Sequence, residues 1–296
     1  MRRFIPILLL TTFTTLADPL VVGYLPDYRI ETWTPPTESP LTDIIFFGIE
    51  ALEGGVLPNV PVPPAQIDRA HALKNQLKTR LLLCVGGWGR SAHFPATAAD
   101  DAARARLITS LRDFCLANDF DGIDYDWEHP KDDAEMANYV RLLTETRAAF
   151  KEDGLLVTIA LASWQDIGPE GYAAVDRVHL MSYDQAFPQA TLAQSIRDVE
   201  TLLANGCPPE KVLLGVPFYG RNQDRDTRSY ADLTADHEPD PGVDEIDGFA
   251  FNGVDTVKAK MNFVTRKNLG GLMIWELSHD GGKLLKHLQG DTVSAQ

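Results

Sequence analysis

The sequence predicts a single α/β domain, a (β/α)8 TIM barrel in which eight parallel strands alternate with helices. Strand-like and helix-like segments follow one another in regular order along the chain. The strand-like segments are near-continuous apolar runs, which is typical of parallel strands covered on both faces. No glycine-rich phosphate loop follows the first strand, and this disfavours an open doubly wound sheet. A closed barrel is therefore the predicted architecture.

The predicted strands are the apolar segments that recur along the chain. They lie at 19–26, 42–52, 80–88, 121–128, 155–163, 175–184, 211–220 and 270–277.

Five longer segments between these strands predict helices. A proline opens the first of them, at a position where its missing N–H costs little. Another has acids in its first turn and Gly154 after its end, both of which favour helix termini. The helices are predicted at 63–78, 98–119, 131–154, 191–206 and 255–270, and the Asp-, Pro- and Gly-rich stretch 222–253 is predicted as a long loop after the seventh strand.

The N-terminus, MRRFIPILLLTTFTTLADPL, carries the pattern of a secretory signal peptide. Arg2 and Arg3 precede a short apolar run, and the small residue Ala17 follows it. We expect cleavage after Ala17, a catalytic barrel over residues 18–296, and a secreted or periplasmic protein. The apolar run is too short to span a membrane, and no membrane span is expected elsewhere.

Composition narrows the possible partners. The net charge of −15 disfavours binding to nucleic acid or to anionic membranes. Three widely spaced cysteines predict neither a disulfide framework nor a zinc site. Cys84 and Cys115 are expected to be buried, and Cys207 to be partly exposed in a loop. A single barrel without a further module is expected to be a monomer.

The segment DGIDYDWEHP, residues 121–130, concentrates four carboxylates in a short strand. In a strand, Asp124, Asp126 and Glu128 share one face, and the intervening apolar residues share the other. Asp121 has the opposite parity and is expected at the strand entrance. Because this strand is the fourth of eight, the acidic face is predicted to point into the barrel, with Glu128 at the carboxyl end where barrel enzymes keep their chemistry.

Two other interpretations of the acidic strand are open. One is the solvated face of an edge strand, which its central position disfavours. The other is a metal site, since clustered carboxylates can bind divalent cations. Few other strand ends offer carboxylate or histidine ligands, so we expect no metal.

The other strand ends carry aromatic and polar residues that would meet at one edge of the barrel. Aromatic faces stack on sugar rings, and carboxylates bind sugar hydroxyls and amides, so the edge is predicted to bind a sugar. The candidate substrate-binding residues are Tyr24, Trp88, Met181, Asp184, Tyr219, Arg221 and Trp275, and Tyr183 is a candidate catalytic residue with Glu128, Asp126 and Asp124.

These motifs follow one another along the chain in the order typical of glycoside hydrolase family 18, the chitinases and their relatives, and the chain resembles this family. It is expected to lack the α+β insertion subdomain that many members have. The resemblance runs from Val21 to about Asp280. The family's D-x-x-D-x-D-x-E motif corresponds to Asp121, Asp124, Asp126 and Glu128, and its S-x-G-G motif to Cys84, Gly86 and Gly87. Its M-x-Y-D motif corresponds to Met181 through Asp184, and its strand-eight tryptophan to Trp275. The segment GVPFYGR at 215–221 also matches.

The resemblance implies substrate-assisted catalysis without a cofactor, in which the substrate's own acetamido group attacks the anomeric carbon. Glu128 would be the general acid and later the base, with a pKa raised by its acidic neighbours. Asp126 would hold the acetamide N–H, and Asp124 would share a proton with Asp126.

The remaining implied roles concern binding. Tyr183 would bond the acetamide oxygen, and Trp275 would form the floor of the sugar site. Asp184 and Arg221 would contact sugar hydroxyls or amides.

Three residues depart from the family pattern. Cys84 replaces the serine that, with Tyr24, bonds the inner aspartate, so we expect Asp124 to be held less firmly because a thiol is a weak donor. His129 follows the acid where an aromatic residue is common. A frequent tryptophan is missing after the M-x-Y-D motif, and Phe187 is its expected replacement.

The predicted function is hydrolysis of β-1,4-linked N-acetylglucosamine in chitin or chito-oligosaccharides. Two alternatives stay open: an endo-β-N-acetylglucosaminidase acting on N-glycan cores or peptidoglycan, and a catalytically silent lectin. The short segment after the seventh strand further predicts a shallow cleft with few aromatic platforms and poor action on crystalline chitin.

Overall fold

The structure, a computed structural model, describes residues 18–288. The predicted signal peptide, residues 1–17, lies outside the described residues. Within them, the barrel prediction is confirmed: eight parallel strands close in the order β1-β12-β7-β6-β5-β4-β3-β2. These strands are β1 (Leu20–Pro26), β2 (Asp43–Ile49), β3 (Arg80–Gly86), β4 (Gly122–Asp126), β5 (Leu156–Ala162), β6 (Arg177–Met181), β7 (Val212–Pro217) and β12 (Gly271–Trp275).

Helices cover the outside of the barrel. Three that the sequence pattern did not indicate are the short α2, α5 and α7, and the predicted helix 98–119 begins later than expected. Asp100 interrupts it, because its side chain accepts a hydrogen bond from the N–H of Ala103 and caps the following helix. The helices are α1 (Pro64–Leu77), α2 (Phe94–Ala99), α3 (Asp101–Ala117), α4 (Asp133–Phe150), α5 (Gly168–Ala174), α6 (Leu192–Ala204), α7 (Tyr230–Leu233) and α8 (Val254–Lys267).

The segment after β7 differs from the predicted long loop. It forms a four-stranded antiparallel sheet in the order β10-β11-β8-β9 beside the barrel opening. Backbone pairing within this short stretch satisfies N–H and C=O groups that an irregular loop would leave to water. Its strands are β8 (Tyr219–Arg221), β9 (Thr227–Ser229), β10 (Glu245–Ile246) and β11 (Phe249–Ala250).

Strand register brings specific interior residues side by side. Asp124 of β4 is paired with Cys84 of β3 on one side and with Thr158 of β5 on the other. On the next pair of strands, Ala160 of β5 lies beside His179 of β6. A small apolar cluster inside the barrel lies among these side chains. It consists of Val22, Tyr24, Ile45, Phe47, Leu82, Cys84, Leu213 and Met273.

All three cysteines are buried free thiols. The expectation for Cys207 was wrong: only 3% of it is exposed, because it packs into the core cluster between the barrel and its helices. None of the helices in residues 18–288 is long and apolar enough to cross a membrane.

Candidate active site

The acidic strand has the predicted two-faced arrangement. Asp124 and Asp126 are buried, with 0% and 4% of their surfaces exposed. Tyr125 and Trp127, of the opposite parity, pack in the core between the barrel and the helices. β4 lies between β3 and β5, so the interpretation as a solvated edge strand is wrong. Glu128 follows the end of the strand at the opening of the barrel.

Asp124 is held by three side chains from three other strands. The hydroxyl of Tyr24 donates to Oδ2 over 2.6 Å, and that of Thr158 donates to Oδ1 over 2.5 Å. His179 Nδ1 lies 2.9 Å from Oδ1. The expectation that Cys84 would leave this carboxylate loosely held was therefore wrong, because other strands supply the donors.

Asp126, unlike Asp124, is buried without donors to one of its carboxyl oxygens. Its Oδ1 is buried and has no hydrogen-bond partner among the described residues. Burial raises its pKa well above the usual value, and the nearby charges of Glu128 and Asp124 raise it further. Asp124 has three donors and Asp126 lacks them at Oδ1, so Asp126 is the member of the pair that retains a proton.

Glu128 has the electrostatics of a general acid. Burial raises its pKa to about 7, the negative charge of Asp184 adds to the rise, and a hydrogen bond from the backbone N–H of Trp88 partly offsets it. The sequence predicts the acids of its own strand as the main cause of this rise. Burial and the charge of Asp184, just beyond the end of β6, instead cause most of the rise in the pKa of Glu128.

Asp184 is fixed by two residues of β8, a strand of the small sheet beside the barrel opening. The hydroxyl of Tyr219 donates to Asp184 Oδ1 over 2.7 Å, and Arg221 Nη1 lies 2.8 Å from the same oxygen. Tyr219 and Arg221, both predicted to bind substrate, therefore also hold Asp184 in position. Tyr183, immediately before Asp184, is half-buried, and its side chain lines the cleft beside Asp126 and Glu128.

The glycine pair after β3 allows the backbone to pass close to the acids. Gly86 and Gly87 have φ of +103° and +104°, where side-chain-bearing residues are strained. A Cβ on Gly86 would lie 2.3 Å from the carbonyl oxygen of Asp126, and one on Gly87 would lie 2.3 Å from the ring of Phe47. A side chain at either position would therefore displace the backbone of Asp126 or the ring of Phe47.

Asp121 lies at the entrance of β4, away from the cleft. Its Oδ2 accepts a 2.7 Å hydrogen bond from the N–H of Leu81 and lies 2.9 Å from Lys74 Nζ. These contacts join β4 to β3 and to α1, so Asp121 has a structural function.

The opening of the barrel contains two adjoining cavities. The inner lobe, of about 400 Å³, lies over the barrel core, and the side lobe, of about 490 Å³, lies toward the ends of β5 and β6. Glu128 lines both and stands at their junction. The inner lobe brings together ten predicted residues: Tyr24, Trp88, Asp126, Glu128, Met181, Tyr183, Asp184, Tyr219, Arg221 and Trp275.

Trp275 forms the floor of the inner lobe. Its ring makes edge contacts with Tyr24 and Phe47, with centroids 5.5 and 4.9 Å apart. Two aromatic neighbours fix the ring plane, which leaves a rigid apolar surface facing the cavity.

Exposed aromatic side chains border both lobes, contrary to the expectation of few platforms. Trp88 is 81% exposed, Trp164 is 67% exposed and Tyr28 is 61% exposed. Trp164 lines the side lobe, where its ring contacts His129 with centroids 4.9 Å apart. Phe187 lines neither lobe but a separate small pocket beside Arg225, so Trp164 provides the aromatic surface expected from Phe187.

Sequence reasoning missed four residues of the site: Tyr28, Thr158, Trp164 and His179. A signal was present for His179, which has the same strand parity as Met181 and Tyr183 and therefore points into the barrel. Tyr28 and Trp164 lie just beyond strand ends, where no periodicity indicates the direction of a side chain.

Among residues 18–288, no group of three or more His, Cys, Asp or Glu side chains is arranged to hold a metal ion. Asp124 is contacted instead by the hydroxyls of Tyr24 and Thr158 and by His179.

Comparison with known proteins identifies similar chains. Residues 22–280 match the family model of Glycosyl hydrolases family 18. The chain is 32% identical over 167 residues to probable chitinase 2 of Drosophila melanogaster, an alignment that covers 48% of this chain and 34% of that protein. This chain spans between 34% and 64% of the lengths of the first relatives it matches.

Solved structures share the fold. A chitinase from Bacteroides thetaiotaomicron superposes with a TM-score of 0.84 at 22% identity, covering 95% of this chain and 99% of that one. A chitinase mutant from Cycas revoluta, solved in complex with (GlcNAc)4, superposes with a TM-score of 0.76 at 23% identity, covering 91% and 98%.

Proposed function

Because the chain belongs to the Glycosyl hydrolases of family 18, we propose that it is a retaining glycosidase that cleaves β-1,4-linked N-acetylglucosamine in chitin or chito-oligosaccharides. The observation that carries the proposal is the position of Glu128 at the junction of the two lobes, with a pKa of about 7. A carboxyl group protonated near neutrality, between two sugar-sized cavities, is suited to protonate a glycosidic oxygen.

In this mechanism the sugar whose bond breaks lies in the inner lobe on Trp275. Asp126 and Tyr183 bind its acetamido group through the N–H and the carbonyl oxygen. The carbonyl oxygen attacks C1 while Glu128 gives its proton to the leaving oxygen, which forms an oxazolinium ion. Glu128, now a carboxylate, removes a proton from water, and the water opens the ion with overall retention of configuration.

Burial of Asp126 supports the acetamide contact. A carboxyl group with one unsatisfied oxygen gains a partner when an amide N–H arrives, so binding relieves a desolvation cost. Asp124, anchored by three donors, keeps its orientation while Asp126 changes partner.

The leaving group occupies the side lobe. Trp164 presents an exposed ring there, and His129 Nε2 lies 3.5 Å from Glu128 Oε2. Burial lowers the pKa of His129, so the ring is neutral near pH 7 and adds no positive charge beside the acid. A neutral aromatic surface suits an uncharged sugar.

A second candidate substrate is an acidic N-acetylglucosamine-containing glycan such as peptidoglycan. Arg225 lines the side lobe, Arg29 lines a cavity next to the inner lobe, and neither side chain has an ion-pair partner among the described residues. Two arginines in the cavities that adjoin the inner lobe, in a chain of net charge −15, favour a substrate with carboxylates.

We further propose that the protein is exported. The support is the pattern of its first residues, a basic pair, an apolar run and Ala17. N-terminal sequencing of protein secreted from a host that carries the full gene tests this proposal, and Asp18 is the expected first residue.

Activity on a fluorogenic chitobioside is the primary test, with Glu128→Gln as the matched inactive control. Wild-type turnover that the variant lacks supports a glycosidase, whereas sugar binding without turnover in the wild type indicates a lectin. Product profiles on chito-oligosaccharides, muropeptide release from peptidoglycan and glycan release from a high-mannose glycoprotein then rank the substrates.

A further inference from the structure

His179 lies on β6 and contacts Asp124, one member of the proposed acid pair. It is fully buried, with 0% of its surface exposed. Its Nδ1 lies 2.9 Å from Asp124 Oδ1 and 3.1 Å from the hydroxyl oxygen of Tyr24. Packing alone would not require a buried imidazole to contact two polar groups of the site, so these contacts indicate a function for the ring nitrogen.

The hydrogen-bond pattern fixes which ring nitrogen carries hydrogen. The Tyr24 hydroxyl donates its only hydrogen to Asp124 Oδ2 over 2.6 Å. The Asp124 carboxylate can only accept, so Nδ1 of His179 must be the donor in both of its contacts. Nε2 is buried without a partner among the described residues, which suits an unprotonated nitrogen better than a second N–H.

The strand-three position supplies no such donor. Cys84 is in register with Asp124, but its thiol makes no hydrogen bond within residues 18–288. Oδ1 instead accepts from Thr158 on β5 and contacts His179 on β6, both on the side of β4 away from β3.

We propose, on the premise of the proposed glycosidase function, that His179 is a positioning residue. Through Nδ1–H it fixes Asp124, and so it performs the function of the hydroxyl that Cys84 lacks. With Asp124 held as an acceptor, the proton of the pair stays on one oxygen of Asp126, and the unpartnered Oδ1 accepts the N–H of the substrate's acetamido group.

The surroundings of His179 contain few other groups that could control its hydrogen bond. The titratable groups in contact with it are Tyr24 from β1 and Asp124 from β4. Leu213, its register partner on β7, is apolar. Thr158 on β5 shares Asp124 Oδ1 with it.

Two matched variants separate positioning from packing. His179→Asn places an amide N–H near the position of Nδ1, whereas His179→Gln places it near Nε2 and leaves Asp124 without this donor. We expect kcat/KM on the fluorogenic chitobioside to fall by about 10- to 100-fold in the Gln variant, the size of one lost hydrogen bond to a charged group. The Asn variant should stay within about threefold of wild type.

The pH profile gives a readout that a purely structural role would not move. Losing a donor to Asp124 makes protonation of the acid pair easier, so the acidic limb of kcat/KM should move to higher pH in His179→Gln. The basic limb, set by Glu128, should stay in place. Adding Cys84→Ser to His179→Gln should restore the profile, because the serine hydroxyl lies on the strand next to Asp124.

Thermal unfolding and the variant His71→Gln, on α1 and bonded to the carbonyl of Asn118, control for general effects of losing a histidine. The proposal is overturned if His179→Gln has the wild-type pH profile, or if adding Cys84→Ser to it does not restore that profile. Neither outcome touches the activity of the wild-type protein, on which the proposed function rests.

A spectroscopic test is independent of activity. In protein labelled with ¹⁵N-histidine, the signal that disappears in His179→Asn should show hydrogen on Nδ1 and none on Nε2. A signal with hydrogen on Nε2 overturns the assignment of His179, whether or not the protein turns over substrate. Absence of turnover would instead contradict the proposed function, independently of this signal.

Discussion

Tyr219 donates a 2.7 Å hydrogen bond to Asp184, and this bond keeps a negative charge at the edge of the cleft next to Glu128. The charge of Asp184 is one reason why the pKa of Glu128 is raised, after burial. Asp184 lies just beyond the end of β6 and Tyr219 lies on β8 of the small sheet, so the acidity of the proposed catalyst depends on how that sheet is placed beside the barrel opening.

The first prediction concerns the basic limb of the pH profile. With a Glu128 pKa of about 7, kcat/KM should fall as pH rises above about 7, because the acid loses its proton. Asp184→Asn removes a negative charge, lowers the pKa of Glu128 and should move this limb to lower pH.

Kinetics on a soluble chito-oligosaccharide from pH 4 to pH 9 checks this prediction. Tyr219→Phe, which keeps the carboxylate but loses its hydrogen bond, is the matched control and should move the limb less than Asp184→Asn. An unchanged limb in Asp184→Asn would remove Asp184 from this function.

The second prediction is that Glu128→Gln abolishes hydrolysis and preserves binding. The amide has nearly the same shape but cannot donate the catalytic proton, so turnover should drop by at least about 10²- to 10⁴-fold. Calorimetric titration with chitotetraose should still detect binding. Residual turnover above about a tenth of wild type would contradict the assignment.

The third prediction concerns Trp164 in the side lobe. Trp164→Ala removes an exposed aromatic surface and should lower kcat/KM on chitohexaose by about tenfold, the range expected for one stacked ring. Trp164→Phe keeps an aromatic face and should lose less. Equal activity of the alanine variant and wild type would show that substrate does not reach this ring.

The fourth prediction concerns Lys260 on α8, which is fully buried and has no hydrogen-bond partner for Nζ among the described residues. Burial lowers its pKa to about 7, so between pH 7 and its usual value of 10.5 the unfolded chain binds a proton that the folded chain does not. Stability therefore rises with pH across this window, and the cost of the lysine is greatest below pH 7.

Lys260→Met should accordingly raise the melting temperature near pH 6, by about 2–4 °C for each kcal/mol gained. The gain should shrink toward pH 10. The exposed neighbour Lys258, replaced by Met, is the control and should change little. A destabilised Lys260→Met at pH 6 would mean that Nζ has a favourable partner, such as buried water.

The fifth prediction is non-processive action with poor solubilisation of crystalline chitin. The segment between Arg221 and α8 forms only a small sheet, too short to build a subdomain with its own core. The ratio of dimer to odd-length products released early from insoluble chitin measures processivity. The three exposed aromatic residues at the cleft make this test informative, since a high and steady dimer yield would show that they retain the polymer.

The sequence alone determined the architecture and the acidic centre. Strand parity is local, so alternation in DGIDYDWEHP sufficed to direct Asp124 and Asp126 inward and Tyr125 outward. Barrel closure follows from eight apolar strands that each need cover on both faces. The same local rule could have found His179, whose parity matches that of Met181.

Tertiary structure alone decided which groups control the acids. Tyr24 and Asp124 are 100 residues apart in the chain, and His179 and Tyr24 are 155 apart, so no spacing rule relates them. Hydrogen bonds and charge effects depend on distances of a few ångströms, and those distances are set only when the strands close into a barrel. For the same reason the sequence indicated that Glu128 is an acid, but burial and Asp184 determine its pKa.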